Sequence, residues 1–206
     1  ITNKKDHCII KLLKMKKIIK KHFLEIKKIL DSSEVIIEQT EKISLFLKRK
    51  IKQKSKIFVY GNGGSFADAS HFVGELTATY SSKKRKSLPF ILLGNNQAAV
   101  TGWSNDYNFD DFVVREFSSL TSKNDLLFLF STSGGNFKKR QSLNLIKLAQ
   151  FAKSEKIPII SLLGKDGGVL KKLSTISLIV NSTKTGSIQE VHKVIFHSIC
   201  ETFENL

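Results

Sequence analysis

The chain has 206 residues, 41% hydrophobic and 25% charged, with 34 Lys and Arg against 18 Asp and Glu for a formal net charge of +16. That length lets one globular unit bury roughly 70% of the surface its unfolded chain exposes, which excludes a disordered or disulfide-stapled class. The longest apolar runs, at 57–60 and 126–130, fall far short of the ~18 residues of a membrane span.

Lysines interrupt every apolar stretch near the N-terminus, so no signal peptide is read there and a cytoplasmic protein is expected. The chain opens at Ile1 rather than Met, and at least one residue is expected to precede it. Residues 4–30 predict an amphipathic helix whose stripe is Ile9, Leu12, Leu13, Met15, Ile18, Ile19, Phe23 and Ile26. Asp31, Ser32 and Ser33 interrupt it and offer N-caps for a second helix to about residue 54, with Val35, Ile36, Ile43, Leu45, Phe46 and Leu47 on its apolar side. This N-terminal hairpin, 1–54, must bury its stripe on its own sheet or on another subunit.

From residue 56 short apolar runs alternate with helical patterns: 57–60, 90–93, 126–130, 159–163 and 176–180. Apolar runs without strict alternation suit strands covered on both faces, as in parallel sheets. The expectation is one α/β domain over 1–206, in which an α/β core (55–206) forms a doubly wound, five-stranded parallel sheet sandwiched by helices. Pro89 and Pro158 each stand just before a strand, where a missing N–H does little harm.

In such sheets ligands bind outside the carboxyl ends of the strands. The first strand runs into Gly61-Asn62-Gly63-Gly64-Ser65 and then a helix, a turn able to bring backbone N–H groups to an anion. The 126–130 strand ends in Ser131-Thr132-Ser133-Gly134-Gly135-Asn136, expected before a helix as a neutral cradle for phosphate. The 159–163 strand ends in Gly164-Lys165-Asp166-Gly167-Gly168, which by itself reads as a turn. His71 and Glu75, four apart on a helix, face one point and suit either half a zinc site or an acid/base pair. Gln189, His192 and His197 fall on a helix expected over about 187–203. Gln189 and His197 are eight apart there, roughly 12 Å of rise, which strains any scheme placing both on one ion. Trp103 suits either a pocket wall or the core.

The charge admits a nucleic-acid reading, but only Arg49, Arg85, Arg115 and Arg140 carry the planar fork on which base reading relies. Nucleic acid is therefore not the expected partner, and scattered lysines read as solvated faces.

Gly61 to Ser65, then Asp68, His71, Phe72, Glu75 and Leu76, resembles the opening motif of the phosphoheptose isomerases, which belong to the sugar isomerase (SIS) domain superfamily. The likeness continues through Asn105-Asp106, Ser131-Thr132-Ser133-Gly134 and the Gly164 to Gly168 run, and closes on Gln189-Glu190, His192 and His197. It implies a SIS-type, flavodoxin-like fold and conversion of sedoheptulose 7-phosphate to D-glycero-D-manno-heptose 7-phosphate for lipopolysaccharide or capsule. By the same resemblance Glu75 is the base moving a proton between C1 and C2, and His197 the acid/base serving the oxygens. It also implies one zinc per subunit on His71, Glu75, Gln189 and His197. One carboxylate cannot be metal ligand and free base in a single state, so the two roles of Glu75 alternate. Sugar-phosphate contacts fall on Asn62, Gly63, Gly64, Ser65, Glu75, Asn105, Asp106, Ser131, Thr132, Ser133, Asn136 and Gln189. A homotetramer with active sites at its interfaces is implied too, and could bring Gln189 from another chain.

The chain departs from the family's pattern at Thr79, where Arg is common, at Gly134-Gly135-Asn136 in the phosphate loop, and at Gly186-Ser187, where Asp-Arg is common. Lys83 or Arg85 is the expected replacement cation. The departures leave room for another phosphosugar, or for a non-catalytic relative that binds a replication initiator or senses a phosphosugar.

Overall fold

A computed structural model describes the backbone of residues 4–204 and the side chains of 11–204. Two helices lead, α1 (Lys4–Asp31) and α2 (Glu34–Lys52), separated by the break expected at Ser32 and Ser33. Ser33 is the N-cap of α2, though its hydroxyl makes no capping bond. The five strands follow where the apolar runs place them: β1 (Ile57–Gly61), β2 (Phe90–Leu92), β3 (Leu126–Ser131), β4 (Ile159–Gly164) and β5 (Ile176–Val180). All four pairings are parallel, in the order β2-β1-β3-β4-β5. That is the flavodoxin-like order, whose direction of winding reverses between β1 and β3.

The helices divide between the two faces. On one, α2, α3 (Gly64–Thr77) and α8 (Thr185–Phe203) bury Ile43, Leu47, Phe72, Leu76, Ile195 and Phe196 against Val59, Phe128 and Leu162. On the other, α5 (Phe109–Leu120), α6 (Leu143–Ser154) and α7 (Gly168–Leu173) cover Phe58, Leu127, Leu129 and Leu163. Burial on both faces is why β1 and β3 read as apolar runs and β4 as one interrupted only by Ser161, whose hydroxyl is paired with that of Ser174 (2.7 Å). The prolines are spared any loss, because each uses its carbonyl instead: Pro89 accepts from the Ile57 N–H (2.8 Å) and Pro158 from the Leu127 N–H (3.0 Å).

The structure decides two features that the sequence left open. The link from β2 to β3 holds two helices, α4 (Gln97–Asp106) and α5, because Asn96 and Asn108 each cap a new helix start by accepting from an N–H three residues on. Trp103 joins neither core cluster. It stacks on Tyr107 (ring centroids 4.4 Å apart) and under the Arg115 guanidinium (4.7 Å), lining a cavity of about 470 Å³ with Asp111 and Lys147. Among the described residues of α1, only the C-terminal third packs inward, through Ile29 and Leu30. Leu12, Leu13, Met15, Ile18, Ile19 and Phe23 stay exposed, and the side chain of Ile9 lies outside those described.

Candidate active site

Gly61 of β1 lies opposite Phe130 of β3, so the loops that follow these strands leave the sheet side by side at its switch point. In the first loop Gly63 adopts a left-handed φ of +55°, and α3 begins at the next residue. The Asn62 amide is tied to Asn144 of α6 in both directions (2.9 and 2.8 Å), and Asn144 also donates to the Tyr60 hydroxyl (3.1 Å). Asn144 went unremarked in the sequence because its partners lie more than eighty positions away. Gly63 and Gly64 are exposed and Ser65 is buried.

The second loop is braced internally. Ser131 Oγ accepts from the Gly134 N–H (3.0 Å) and Ser133 Oγ from the Gly135 N–H (3.3 Å), which leaves each hydroxyl proton free to point outward. The expected helix does not follow at once; α6 starts only at Leu143. Gly134, at φ +65°, presses so closely on the Gly167 carbonyl that any Cβ there would collide with it. The N–H groups of Val169 and Leu170 donate to the Gly135 and Gly134 carbonyls (3.2 and 2.8 Å). The Gly164 to Gly168 segment is thus a brace for the loop, beyond a simple turn, and a backbone pairing of Asn136 with Gln141 (2.9 Å in each direction) holds a turn where the helix was expected. Asn136 is exposed, its Oδ1 accepting from the Lys139 N–H (3.0 Å).

The chemistry-bearing side chains gather where α3 packs against α8. His71 Nε2 lies 2.8 Å from Glu75 Oε1, and the His71 and His197 rings are 5.0 Å apart. Donor atoms of His71, Glu75 and His197 all fall within 4.8 Å of one another. His71 is exposed while Glu75 and His197 are half-buried. Burial lowers the pKa of His197, and the neighbouring His71 lowers it further against the opposing pull of Glu75. Gln189 stands elsewhere: its amide covers Gly64, at a distance that a Cβ on Gly64 would abolish. Gly64 precedes His71 by seven residues, roughly 10 Å of helix, so the spacing strain noted above persists within one chain.

Tyr80 was not anticipated, yet its ring lies 5.8 Å from that of His197. His192 is fully buried, with Nε2 3.1 Å from the Leu163 carbonyl and a pKa pushed down by burial to about 4, which marks it as structural. Asn105 and Asp106 close the exposed end of α4, joined to each other at 3.0 Å.

Arg85 does not serve as the replacement cation. Its side chain is 1% exposed and fully engaged, donating to Glu204 Oε1 (2.9 Å) and to the carbonyls of Glu75 (2.6 Å), Leu76 (2.9 Å) and Lys86 (2.8 Å). It therefore satisfies the last-turn carbonyls of α3 and fixes the backbone that carries Glu75. Lys83 shares the same loop.

A SIS domain model matches residues 21–164. The chain is 38% identical to the phosphoheptose isomerase of Helicobacter pylori (strain ATCC 700392 / 26695) over 188 residues, 91% of this chain and 94% of that one. The chain belongs to the phosphoheptose isomerase family of SIS domains. Another relative in the family, the phosphoheptose isomerase of Aliarcobacter butzleri, is 38% identical over 93% of this chain and 98% of its own. The structure of the Neisseria gonorrhoeae phosphoheptose isomerase superposes with a TM-score of 0.83 at 28% identity, covering 93% of this chain and all of that one (100%).

The Arg85 anchor makes a testable demand on stability. The Ser81 hydroxyl, Arg85 and the Ser82 and Ser81 N–H groups hold the Glu204 pKa at about 2. This lies below the ordinary glutamate value of about 4.3. Its contribution is therefore complete above about pH 4.3 and is lost as pH falls toward the folded value. Glu204→Gln is expected to lower the urea midpoint at neutral pH, and the gap from the parent should close progressively on acidification. A gap independent of pH would contradict the assignment.

Proposed function

We propose that this protein is an aldose–ketose isomerase converting sedoheptulose 7-phosphate to D-glycero-D-manno-heptose 7-phosphate, in the cytoplasm, for lipopolysaccharide or capsule. The observation that carries the reading is the meeting of Glu75, His71 and His197 between α3 and α8. It stands in a chain matched nearly end to end by phosphoheptose isomerases.

Moving a carbonyl from C2 to C1 through an enediol needs a base at carbon and a proton donor and acceptor at the oxygens. Glu75 takes the proton from C1 and returns it at C2, with one carboxylate oxygen steadied by His71 and the other turned to the substrate. His197, favoured in its neutral form, exchanges protons with the substrate oxygens. The substrate phosphate rests where the two loops adjoin: Ser131, Thr132, Ser133 and Asn136 on one side, and Gly63, Gly64 and Ser65 at the start of α3 on the other. Asn62 braces this cradle, Gln189 reaches the sugar from above Gly64, and Asn105 and Asp106 add contacts from α4.

The same three side chains fit zinc, since two imidazoles and a carboxylate with a fourth position open is the donor set of catalytic zinc. Zinc held by His71, Glu75 and His197, one per subunit, would supply polarisation of a substrate oxygen. The metal-held and free-base forms of Glu75 are then separate states. Gln189 joins the ligand set only if a neighbouring chain supplies it.

The assembly is a homotetramer. Its support is the stripe of α1 from Leu12 to Phe23, with Ile18 70% and Phe23 71% exposed, together with an apolar groove of about 560 Å³ between α2 and α8 lined by Ile36, Ile37, Leu45, Val191 and Val194. Uncovered apolar surface of this extent marks an association surface.

Glu75→Gln keeps the shape of the site and removes the base, so kcat for sedoheptulose 7-phosphate should fall about 10³-fold with the circular-dichroism spectrum unchanged. A loss of less than about tenfold would refute the role. Ile19→Glu combined with Phe23→Glu should convert the tetramer to smaller species by light scattering. An intact tetramer would sink the α1 interface.

A further inference from the structure

Helices α3 and α8 meet along a ladder of three polar rungs. Gly64 faces Gln189, Asp68 faces Lys193, and His71 with Glu75 faces His197. On α8 these residues fall at intervals of four, one turn apart on a single side. The outer rungs have roles in the isomerase reading and the middle rung has none. Its geometry is nonetheless the most costly of the three. The Asp68 side chain is 7% exposed, its Oδ1 lies 3.7 Å from Lys193 Nζ, and its Oδ2 is buried without any partner among the described residues. Burial with an incomplete partner set is expensive for a carboxylate, and a surface pair would hold two helices at less cost. The Lys193 side chain, by contrast, is 45% exposed, so it remains accessible from solvent while its ammonium lies within 3.7 Å of Asp68.

The charges around this rung define what it can do. Asp68 is faced by Lys193, Glu190 and His71, and the charge of Lys193 acts on His197 as well as on Asp68. Arg85 is committed to Glu204 and to the carbonyls of α3. The loops below offer neutral hydroxyls and N–H groups to a substrate that carries a phosphate and develops an oxyanion in the enediolate. An ammonium on a flexible stem, one turn before His197, is the complementary charge.

We infer that Lys193 is a substrate-contacting residue whose ammonium takes an anionic oxygen of the bound sugar phosphate, and that Asp68 is the positioning residue holding it over the seam. This rests on the isomerase reading. Two oxygens share the required chemistry, the enediolate oxygen and the phosphate, and kinetics separates them.

Lys193→Met should lower kcat/KM for sedoheptulose 7-phosphate at least about tenfold, and Lys193→Arg should recover most of the loss. A fall in kcat at constant KM assigns the contact to the enediolate. A rise in KM, with weaker binding of inorganic phosphate by calorimetry, assigns it to the phosphate group. Asp68→Asn should reduce kcat/KM in the parent but by less than about twofold in the Lys193→Met background, because a positioning residue acts only through the group it holds. The inference is overturned if Lys193→Met stays within about twofold of the parent in both kcat/KM and phosphate affinity. It is equally overturned if the loss tracks a fall in thermal stability that Lys193→Arg does not restore. A parent that fails to turn over the sugar phosphate would count against the isomerase reading. The phosphate affinities would still decide, in that event, whether Lys193 meets an anion.

Discussion

Beneath the polar seam of α3 and α8 lies a knot of aromatic rings that fixes how the two helices sit. Phe72 is 5.6 Å from Phe196, and both meet Phe130 of β3, at 5.9 and 6.1 Å. All three are fully buried, and emptying such a site costs about 3–5 kcal/mol. Sliding one helix past the other would break this knot, so the register of the rungs above it is not adjustable. Phe196 and His197 are adjacent in sequence, and the ring that anchors the helix therefore sets the direction of the His197 ring, the proposed acid/base.

Around that knot the chain spends buried polar groups to hold the site still. Arg85 and Glu204 form a nearly dry ion pair, 1% and 8% exposed, which ties the end of α3 to the end of α8. The Asn62–Asn144–Tyr60 group ties the first loop to α6 on the opposite face of the sheet. The Gly134 and Gly168 contacts tie the second loop to the end of β4. Such buried polar ties add little net stability, but each removes a way for the proposed catalytic groups to wander. The net charge of +16 plays no visible part in this, since the seam combines Asp68, Glu75 and two histidines with one nearby ammonium.

The central strands were legible because a strand buried on both faces is apolar almost throughout, as 57–60 and 126–130 are, and the short runs at the two sheet edges followed from their regular alternation with helical segments. His71 and Glu75 were legible because four residues on a helix is a local distance. What the sequence did not disclose depends on pairs brought together by folding. Arg85 looked like a free cation in a basic loop, and only the fold shows its guanidinium turned inward to Glu204, 119 positions away. Tyr80, Asn144 and Lys193 escaped notice for the same reason. The helix expected straight after Asn136 failed because Asn136 and Gln141 exchange backbone hydrogen bonds (2.9 Å each) and Arg140 and Ser142 take positive φ, so a turn fills the stretch before α6.

In the proposed reaction the seam of α3 and α8 moves a proton between adjacent carbons of a ketose phosphate. The most direct test is a proton NMR time course of sedoheptulose 7-phosphate with the purified protein in deuterated water. The anomeric signals of the aldose should appear, with deuterium entering at C2 to the extent that the proton held by Glu75 exchanges with solvent before it is returned. A spectrum unchanged at high protein concentration, with and without added zinc, would contradict the proposed reaction.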